Sequence, residues 1–286
     1  MAETPPVVLT IAGFDPSSGA GITADIKTIA AHECYGVSCI TAITVQSTQG
    51  VRRVEPMDPR TILETLQELV SDLEVAAVHI GMLGTREGAQ AVADFLEQAR
   101  LPHVVLDPIL KASSGADLLD APGTRILIER LIPLSEVVTP NLDEASALTQ
   151  QPVTNLDQMR LAAVRLHSLG AANIVITGGD LERAIDLLSF TTSRGIEKEV
   201  FKADRLRSSS THGTGCAFAT AMACHLAYGR GLPEAVLLSK AYVAAAIANA
   251  HPLGRGVGPV HHLYRMNRQR RASAAVPEAE AAHSRN

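Results

Sequence analysis

Short apolar runs rich in β-branched residues alternate with stretches of helical periodicity along the first two thirds of the chain. The runs cover residues 7–12, 37–45, 76–81, 103–107, 136–140 and 173–177. Between them apolar residues recur at helical spacing, as in Ile22, Ile26 and Ile29. Continuous apolar runs predict strands buried on both faces, and their alternation with helices predicts an α/β fold with a central, mostly parallel sheet covered on both sides.

The pattern changes after Gly178. Residues 184–190 and 197–204 have the character of an antiparallel strand pair at the edge of the sheet. Two long apolar helices are predicted after them, over residues 215–228 and 232–248. The final third of the chain is therefore expected to close the sheet and to add helices against one of its faces.

Domain organisation follows from composition along the chain. No stretch has the composition of an interdomain linker, so residues 1–264 are predicted to form one domain. Residues 265–286 contain few large apolar side chains and many Arg, Ala and Glu residues. Such a segment cannot bury enough apolar surface to fold, and a disordered C-terminal tail is predicted.

Charge and hydropathy narrow the class of partner. The net charge of the 286 residues is −5, with both signs interspersed, which gives no reason to expect nucleic-acid binding. No apolar run reaches the length of a bilayer span, and the first residues lack the features of a signal peptide. We therefore expect a cytoplasmic protein with a small-molecule partner and no membrane partner.

The four cysteines form no C-x-x-C pair, and the histidines show no metal-binding spacing. Reduced thiols are expected, with Cys34, Cys39 and Cys224 acting as small buried apolar residues. His79 lies inside an apolar run and is interpreted as a strand residue rather than a metal ligand. Only Cys216, between a glycine-rich loop and a predicted helix, has a position that suggests chemistry.

The loop at Thr211–Cys216 is the strongest single candidate for a functional site. Gly213 and Gly215 flank one residue, and an alanine-rich helical run follows at once. Such a loop directs backbone N–H groups at an anion, and the helix dipole adds positive potential, which is expected to lower the pKa of the Cys216 thiol. Taken alone, a short glycine motif favours the alternative of a loop that only starts a surface helix.

Other informative loops follow the predicted strands. Residues 13–21, 46–51, 81–83, 107–115 and 141–145 each come directly after one of them. In an open parallel sheet, ligands bind outside the carboxyl ends of the strands. We therefore expect five loops, and the cysteine loop with them, to meet along one rim.

Seven motifs in these loops carry a family resemblance. They are LTIAGFDPSSGAGITADIKT, VQSTQGV, GML, VVLDPI, TPNLDEA, THGTGC and GVGPVHH, in this order between residues 8 and 262. In order and spacing the chain resembles the hydroxymethylpyrimidine and phosphomethylpyrimidine kinases of thiamine biosynthesis, a branch of the ribokinase-like superfamily. The resemblance implies a ribokinase-like three-layer sandwich and, typically, a homodimer.

The resemblance also implies a reaction. ATP, with Mg²⁺, would donate its γ-phosphoryl group to the hydroxymethyl oxygen of 4-amino-5-hydroxymethyl-2-methylpyrimidine. In many relatives a second transfer converts the resulting monophosphate to the diphosphate. The chain is thus expected to be a phosphotransferase whose partner is a small pyrimidine.

On the pyrimidine side, the resemblance assigns substrate contacts to five positions. Gln46 matches the glutamine that hydrogen-bonds the aminopyrimidine, although a residue that only caps the strand end remains the alternative. Met82 would pack on the ring, or equally belong to the core. Ala20 and Gly21 lie where the backbone approaches the substrate, and Asp25, early in the first helix, is a weaker candidate.

On the nucleotide side, Asp107 and Glu144 match the acidic residues that organise Mg²⁺, directly or through water. Asn141 and Thr211 belong to the same candidate ATP site. Lys240 matches a lysine near the nucleotide, with a solvated helix lysine as the alternative. A carboxylate at a helix start is also an ordinary capping residue, so the assignment of Glu144 depends on its pairing with Asp107.

The catalytic assignment falls on the cysteine loop. Gly213, Thr214, Gly215 and the backbone of Cys216 match the groups that hold the transferring phosphoryl group. The Cys216 sulfur stands where related sugar kinases have an aspartate base, and it could accept the hydroxyl proton if its pKa were near the working pH. Most of the acceleration is expected from charge stabilisation and positioning.

One departure from the family pattern concerns charge. Many relatives have a K-G-G-H segment after the sixth strand, whereas this chain has Thr177, Gly178, Gly179 and Asp180. A cation that contacts the ATP phosphates is lost, and an anion is gained. Lys111, Arg205, Arg207 and Lys240 are candidates to replace it. The hypothesis is that the second phosphorylation suffers first.

Two other functions remain open from the sequence. Relatives with the same cysteine loop phosphorylate pyridoxal or pyridoxine, which share a flat heteroaromatic ring and a hydroxymethyl group. A catalytically impaired pyrimidine-binding or regulatory protein is the other alternative, suggested only by the missing lysine.

Overall fold

One mixed sheet organises the part of the chain that the computed structural model describes, residues 4–112, 114–179, 181, 183–206 and 208–266. Its nine strands lie in the order β3-β2-β1-β4-β5-β6-β7-β8-β9. The strands are β1 (Val7–Phe14), β2 (Tyr35–Ser47), β3 (Gly50–Pro56), β4 (Val75–Ile80), β5 (Val104–Leu106), β6 (Val137–Val138), β7 (Asn173–Gly178), β8 (Ala184–Thr192) and β9 (Gly195–Ala203). The pairs from β2 to β7 are parallel, and β3, β8 and β9 join antiparallel.

Helices cover both faces of this sheet. They are α1 (Gly21–Ala31), α2 (Pro59–Asp72), α3 (Arg86–Ala99), α4 (Ala121–Ile126), α5 (Ile132–Leu134), α6 (Leu142–Thr149), α7 (Leu156–Ser168), α8 (Thr214–Ala227) and α9 (Leu232–Ala248), with a π-helical stretch at Leu127–Leu131 between α4 and α5. This arrangement confirms the predicted three-layer architecture.

Alternation along the strands divides the core in two. Leu9 and Ile11 of β1 belong to the apolar cluster that includes α2, α3 and α7. Val8, the residue before Leu9, points to the opposite cluster, which includes α8 and α9. Each fully buried aliphatic side chain of this kind contributes about 2 kcal/mol to stability. Burial on both faces explains why the strand sequences are continuously apolar.

The β2–β3 hairpin was not predicted. Residues 46–51 read as a loop at the end of a strand, but the chain turns at Thr48 and Gln49 and returns as β3. Inside β3, the apolar residues are Val51 and Val54. Arg52, Arg53 and Glu55 are exposed. An edge strand with one solvated face has no continuous apolar run, so its sequence lacked the signal used for the others.

Arg265, the first residue of the predicted C-terminal tail, packs against two tyrosine rings. The guanidinium carbon of Arg265 lies 5.7 Å from the centre of the Tyr242 ring and 5.8 Å from that of Tyr264, within the range of a cation–π contact. Residues 267–286 of the predicted tail and residues 1–3 lie outside the described residues. The single-domain boundary at 264 and the disorder of the tail therefore stay predictions. Within the described residues, no helix combines the length and apolar character that crossing a membrane requires.

Candidate active site

The loop between β1 and α1 is organised by the carboxylate of Asp15. It accepts hydrogen bonds from the backbone N–H groups of Ser17, Gly19 and Ala20, at 2.8, 3.2 and 3.0 Å. Burial alone would raise the pKa of Asp15, but hydrogen bonds from His212, Ser17 and Ala20 outweigh it, and the pKa is lowered. Asp15 is therefore an ionised residue that shapes the loop, as an Asp before Pro in a turn often is.

His212 connects this loop to the end of β2. Its Nε2 atom lies 2.9 Å from Oδ2 of Asp15 and 3.2 Å from Nε2 of Gln46. The Gln46 amide oxygen accepts a hydrogen bond from the Thr44 hydroxyl at 3.1 Å. Three segments far apart in sequence thus meet at Gln46. Sequence reasoning missed His212, although it lies inside the THGTGC motif and precedes the loop glycines.

A cavity of about 180 Å³ opens beside Gln46. The β2–β3 turn, Ala112, Ser114, His212 and the segment Gly256–Val257 line it. The Val257 N–H donates to the Thr48 carbonyl at 2.9 Å, so the GVGPVHH segment closes one wall against the turn. The cavity lies where the predicted pyrimidine contact stands, and its walls come from three motifs of the sequence.

The cysteine loop presents free backbone donors next to this cavity. Gly213 has φ +83°, and a Cβ there would run into the carbonyl oxygen of Gly19, so only glycine fits. Among the described residues none accepts a hydrogen bond from the N–H groups of Gly213, Gly215 and Cys216. The N–H of Thr214 makes only a long bond of 3.4 Å to Thr211. These donors, at the start of α8, are arranged as an anion site.

The pKa of the Cys216 thiol differs from the one expected from the sequence. It is buried, and burial, followed by the nearby carboxylates of Asp107 and Asp25, raises its pKa well above the ordinary value. A hydrogen bond from the Gly21 N–H acts in the other direction but is outweighed. The predicted lowering of this pKa by the helix start is therefore wrong for the ligand-free protein, in which the thiol is neutral. Desolvation is stronger here than the helix dipole.

Asp107 and Glu144 are two buried carboxyl groups that interact. Burial and the charge of Asp25 raise the pKa of Asp107 to about 6, against the opposing influence of His79 and of a hydrogen bond from the Cys216 thiol. Burial and the charge of Asp107 raise the pKa of Glu144 well above its usual range. Two such groups resist simultaneous ionisation, and a bound cation would relieve the repulsion.

Glu144 is at the same time a helix cap. Its Oε2 atom accepts from the Asn141 N–H at 2.9 Å, and the Asn141 side chain accepts from the Glu144 N–H at 2.8 Å. This capping box starts α6 and fixes both side chains. The capping alternative weighed from the sequence for Glu144 is thus correct, and it does not remove the carboxylate from the site, because Oε1 has no part in the cap.

Lys240 lies at the other end of the rim. Its ammonium group is 2.6 Å from Oδ2 of Asp186 and 3.3 Å from the Ala184 carbonyl. Asp186 also accepts from the Gly178 N–H and pairs across the sheet with Thr177. With its side chain only 13% exposed, Lys240 is not a solvated helix lysine. It lies one strand away from the position where the family lysine is missing.

The other candidate cations are placed less favourably. Lys111 is exposed and paired with Asp117 at 3.1 Å, and Arg205 is exposed. Arg207 and Asp180 lie outside the described residues. Of the described candidates, Lys240 alone is held beside Thr177.

The four other predicted substrate contacts lie at different depths. Ala20 is tied into the Asp15 loop, and Gly21 begins α1. Met82 is buried against Gly13 and belongs to a small apolar cluster with Ala42 and Leu118, so the structure places it in the core beneath the first loop. Asp25 is fully buried, and both of its carboxylate oxygens are bonded within the protein. Its expected place on the rim is not what the structure shows.

Fold and site together define an α/β phosphotransferase of the ribokinase-like type, with backbone amides, a cysteine and two carboxylates at the carboxyl ends of parallel strands. The family model described as phosphomethylpyrimidine kinase matches residues 15–261. The chain belongs to this family.

Relatives agree with this assignment. The hydroxymethylpyrimidine/phosphomethylpyrimidine kinase of Streptomyces coelicolor is 40% identical over 91% of this chain and 95% of its own length. The thiamine biosynthesis bifunctional protein ThiED of Geobacter sulfurreducens is 43% identical over 90% of this chain, which spans only 52% of that longer protein. The crystal structure of an ADP complex of Bacillus subtilis pyridoxal kinase superposes with a TM-score of 0.83 at 35% identity, covering 92% of this chain and 100% of that one.

Proposed function

We propose that the protein phosphorylates the hydroxymethyl group of 4-amino-5-hydroxymethyl-2-methylpyrimidine with ATP, as a step of thiamine biosynthesis. The observation that carries this proposal is the contact between His212 and Gln46. It joins the residue expected to recognise the aminopyrimidine to the loop whose amides have no internal acceptor. Recognition and phosphoryl transfer are thereby next to each other.

Positioning accounts for most of the proposed mechanism. Gln46 offers a donor and an acceptor to a ring nitrogen and the neighbouring amine, which fixes the ring and its hydroxymethyl arm. The amides of Gly213, Gly215 and Cys216 face the charge that develops on the transferring group. Because these donors are already aligned in the free protein, they need no reorganisation during the reaction.

Proton removal involves Cys216 and Asp107 as a pair. The neutral thiol donates to Asp107 in the free protein. A substrate hydroxyl can pass its proton to the sulfur when the thiol proton moves to the Asp107 carboxylate, so that one proton enters the pair and none is lost.

Magnesium is part of the proposal. Mg²⁺ is usually held by one or two carboxylates together with water and substrate phosphates, and Asp107 and Glu144 fit that donor set. Within the described residues no group of three or more His, Cys, Asp or Glu side chains could hold a metal ion by itself. Bound with ATP, Mg²⁺ would neutralise phosphate charge beside these two residues.

The nucleotide site is proposed to include Asn141, Thr211 and Lys240. Asn141 forms a bridge with Thr177, and Asp186 holds Lys240 on the neighbouring strand. Lys240 is therefore the described cation that best substitutes for the missing family lysine. Since Asp186 already neutralises it, we expect the first transfer to proceed and the transfer to the monophosphate to be the weaker activity.

Phosphorylation of pyridoxal is the second candidate, favoured by the similarity to the Bacillus subtilis pyridoxal kinase. An inactive binding protein has less support, because Cys216, both carboxylates and the free amides are in place. We also propose a homodimer, supported by exposed apolar side chains on β2, Tyr35, Ile43 and Val45. A cytoplasmic location fits the four free cysteines.

The decisive experiment is incubation of the protein with ATP, Mg²⁺ and the free pyrimidine, followed by mass spectrometry of the products. We expect the monophosphate first and the diphosphate more slowly. Equimolar competition between the pyrimidine and pyridoxal then measures preference. A strong preference for pyridoxal would replace the first assignment with the second, and no product from either would refute both.

A further inference from the structure

The carboxylate of Asp25 is buried inside the protein, with no exposed surface. Its Oδ2 atom accepts from the Thr10 hydroxyl at 2.7 Å, and its Oδ1 atom accepts from the Thr220 hydroxyl at 3.0 Å. Nδ1 of His79 lies 3.3 Å from Oδ2. The side chains of Thr10, Asp25, His79 and Thr220 are all fully buried, and we refer to them as the buried carboxylate network.

The network joins four elements. Thr10 and His79 are cross-strand neighbours on β1 and β4, which are parallel strands of the sheet centre. Asp25 lies on α1, and Thr220 lies on α8. A buried carboxylate is strongly destabilising unless it is paired and hydrogen-bonded, and this one has three partners. Burial lowers the pKa of His79, but the charges of Asp25 and Asp107 reverse this, so that the pKa is raised and the imidazole can carry the balancing charge.

Both helices in the network begin at the candidate active site. Gly21, the first residue of α1, lies four residues before Asp25. Cys216, in the first turn of α8, lies four residues before Thr220. Four residues are about one helical turn, or roughly 6 Å along each axis. The bond between Asp25 and Thr220 therefore fixes the two helix starts relative to each other one turn below the site.

A contact at the site itself depends on that spacing. The Gly21 N–H donates to the Cys216 sulfur. Gly213, just before α8, meets the Gly19 carbonyl so closely that no Cβ fits between them. These contacts leave little tolerance, and a shift of one helix against the other by a fraction of an ångström would break them.

We infer that the buried carboxylate network is a positioning device, in which Asp25 and Thr220 hold the starts of α1 and α8 so that their amides converge on one phosphoryl group. Asp25 acts through the helices and does not touch the substrate. This role rests on the proposed function and replaces the substrate contact expected for Asp25 from the sequence.

The test uses Thr220→Val, which keeps the shape of the side chain and removes the hydroxyl. We expect kcat to fall about tenfold, with the KM for the pyrimidine unchanged, because misplacement of the reacting groups affects the transition state more than binding. Thr220→Ser retains the hydroxyl and should restore kcat. The control is Thr149→Val, a buried threonine whose hydroxyl bonds only to its own helix, at Ala145.

A second readout needs no substrate. In Thr220→Val, amide hydrogen exchange should accelerate in the first turns of both α1 and α8. In the control Thr149→Val, exchange in these two turns should match that of the wild type. Wild-type exchange and wild-type kcat in Thr220→Val would overturn the inference. An equal loss of kcat in Thr149→Val would also overturn it, since the effect would then be general destabilisation.

The exchange experiment separates the two proposals. If the wild-type protein phosphorylates neither ring, the proposed function fails, while coupled loosening of α1 and α8 still establishes the positioning role. If the wild-type protein is active and the helices loosen independently, the positioning role fails alone.

Discussion

The pyrimidine side and the nucleotide side of the rim are built in different ways. On the first, the Nε2 atom of His212 lies 2.9 Å from Oδ2 of Asp15 and 3.2 Å from Nε2 of Gln46, so that three segments meet around one imidazole nitrogen. On the second, an ion pair between Lys240 of α9 and Asp186 of β8 lies beside the end of β7. The pyrimidine side is held together by side-chain contacts in the ligand-free protein, whereas the nucleotide side has a lysine that is already paired with an aspartate.

This difference separates two tasks. Recognition of a small neutral ring needs a fixed donor and acceptor, which a cross-linked loop supplies. Binding of a triphosphate needs positive potential, which backbone amides without an internal acceptor at the start of a helix can supply. We therefore expect substitutions on the two sides to separate cleanly in their kinetic effects.

Cys216 lies where the two sides meet, so its loss should have the largest effect. Cys216→Ala is expected to lower kcat about a thousandfold, because both the proton acceptor and its bond to Asp107 disappear. Steady-state kinetics with the pyrimidine measure this. Cys224→Ala, eight residues later on the same helix, is the control and should leave kcat unchanged. Equal activity of both variants would exclude Cys216 from the chemistry.

Gln46→Leu alters only the pyrimidine side of the site. It removes a donor and an acceptor from the ring and leaves His212 without its amide neighbour, so the KM for the pyrimidine should rise about a hundredfold. The KM for ATP should stay constant. Gln67→Leu, at an exposed glutamine of α2 outside the cavity, provides the comparison. A parallel rise in both KM values would show that the two sides are not independent.

Asp107 gives a pH-dependent test of the centre of the site. Its pKa in the folded protein is raised from an ordinary 3.8 to about 6, so the folded state loses stability as the pH rises through this interval. Asp107→Asn removes the loss, and at pH 7.5 without metal its free energy of unfolding should exceed that of the wild type by about 3 kcal/mol.

Thermal unfolding in EDTA at pH 7.5 and pH 4 checks the sign. The gain should vanish at pH 4, where the wild-type carboxyl group is protonated in the folded state. Asp117→Asn, at an exposed carboxylate, should show no such difference. A gain of the same size at both pH values would contradict the assigned pKa.

Lys240→Met alters only the nucleotide side of the site. Loss of the described cation beside Thr177 should raise the KM for ATP about tenfold, the usual scale for one charged hydrogen bond. The KM for the pyrimidine should not change. Lys198→Met, at an exposed lysine of β9, controls for net charge, and the assignment fails if both variants behave alike.

Restoring the family residues should have the smallest effect. Thr177→Lys combined with Asp180→His should raise the rate of the second transfer relative to the first by about threefold, since partly solvated charges contribute modestly. Product ratios from mass spectrometry give the measurement. If neither half-reaction changes, the missing lysine is irrelevant to activity.

The sequence allowed the parallel strands, the edge pair β8–β9 and the two final helices to be predicted, because burial on both faces leaves continuous apolar runs. It did not allow β3, a solvated edge strand. In the site, the glycine loop and the carboxyl ends of the strands were predictable from local motifs. The contact of His212 with Gln46 spans 166 residues, and no local pattern encodes it.

Two errors have one physical origin. The Cys216 pKa and the location of Asp25 were judged from position on a helix, where the dipole dominates. In the structure both groups are desolvated and lie near other carboxylates. The depth of a side chain depends on which elements pack over it, and that information is absent from the spacing of residues along one helix.

The interlock between Gly213 and Gly19, and the bond from the His212 N–H to the Gly258 carbonyl, have a consequence for biosynthesis. The first and last loops of the site are separated by almost the entire length of the chain. During translation the N-terminal strands emerge long before their partners, so a nascent chain lacks the pocket until its closing segment has cleared the ribosome. Polypeptides truncated before residue 258 should therefore accumulate in a form that has the sheet but does not bind ligand.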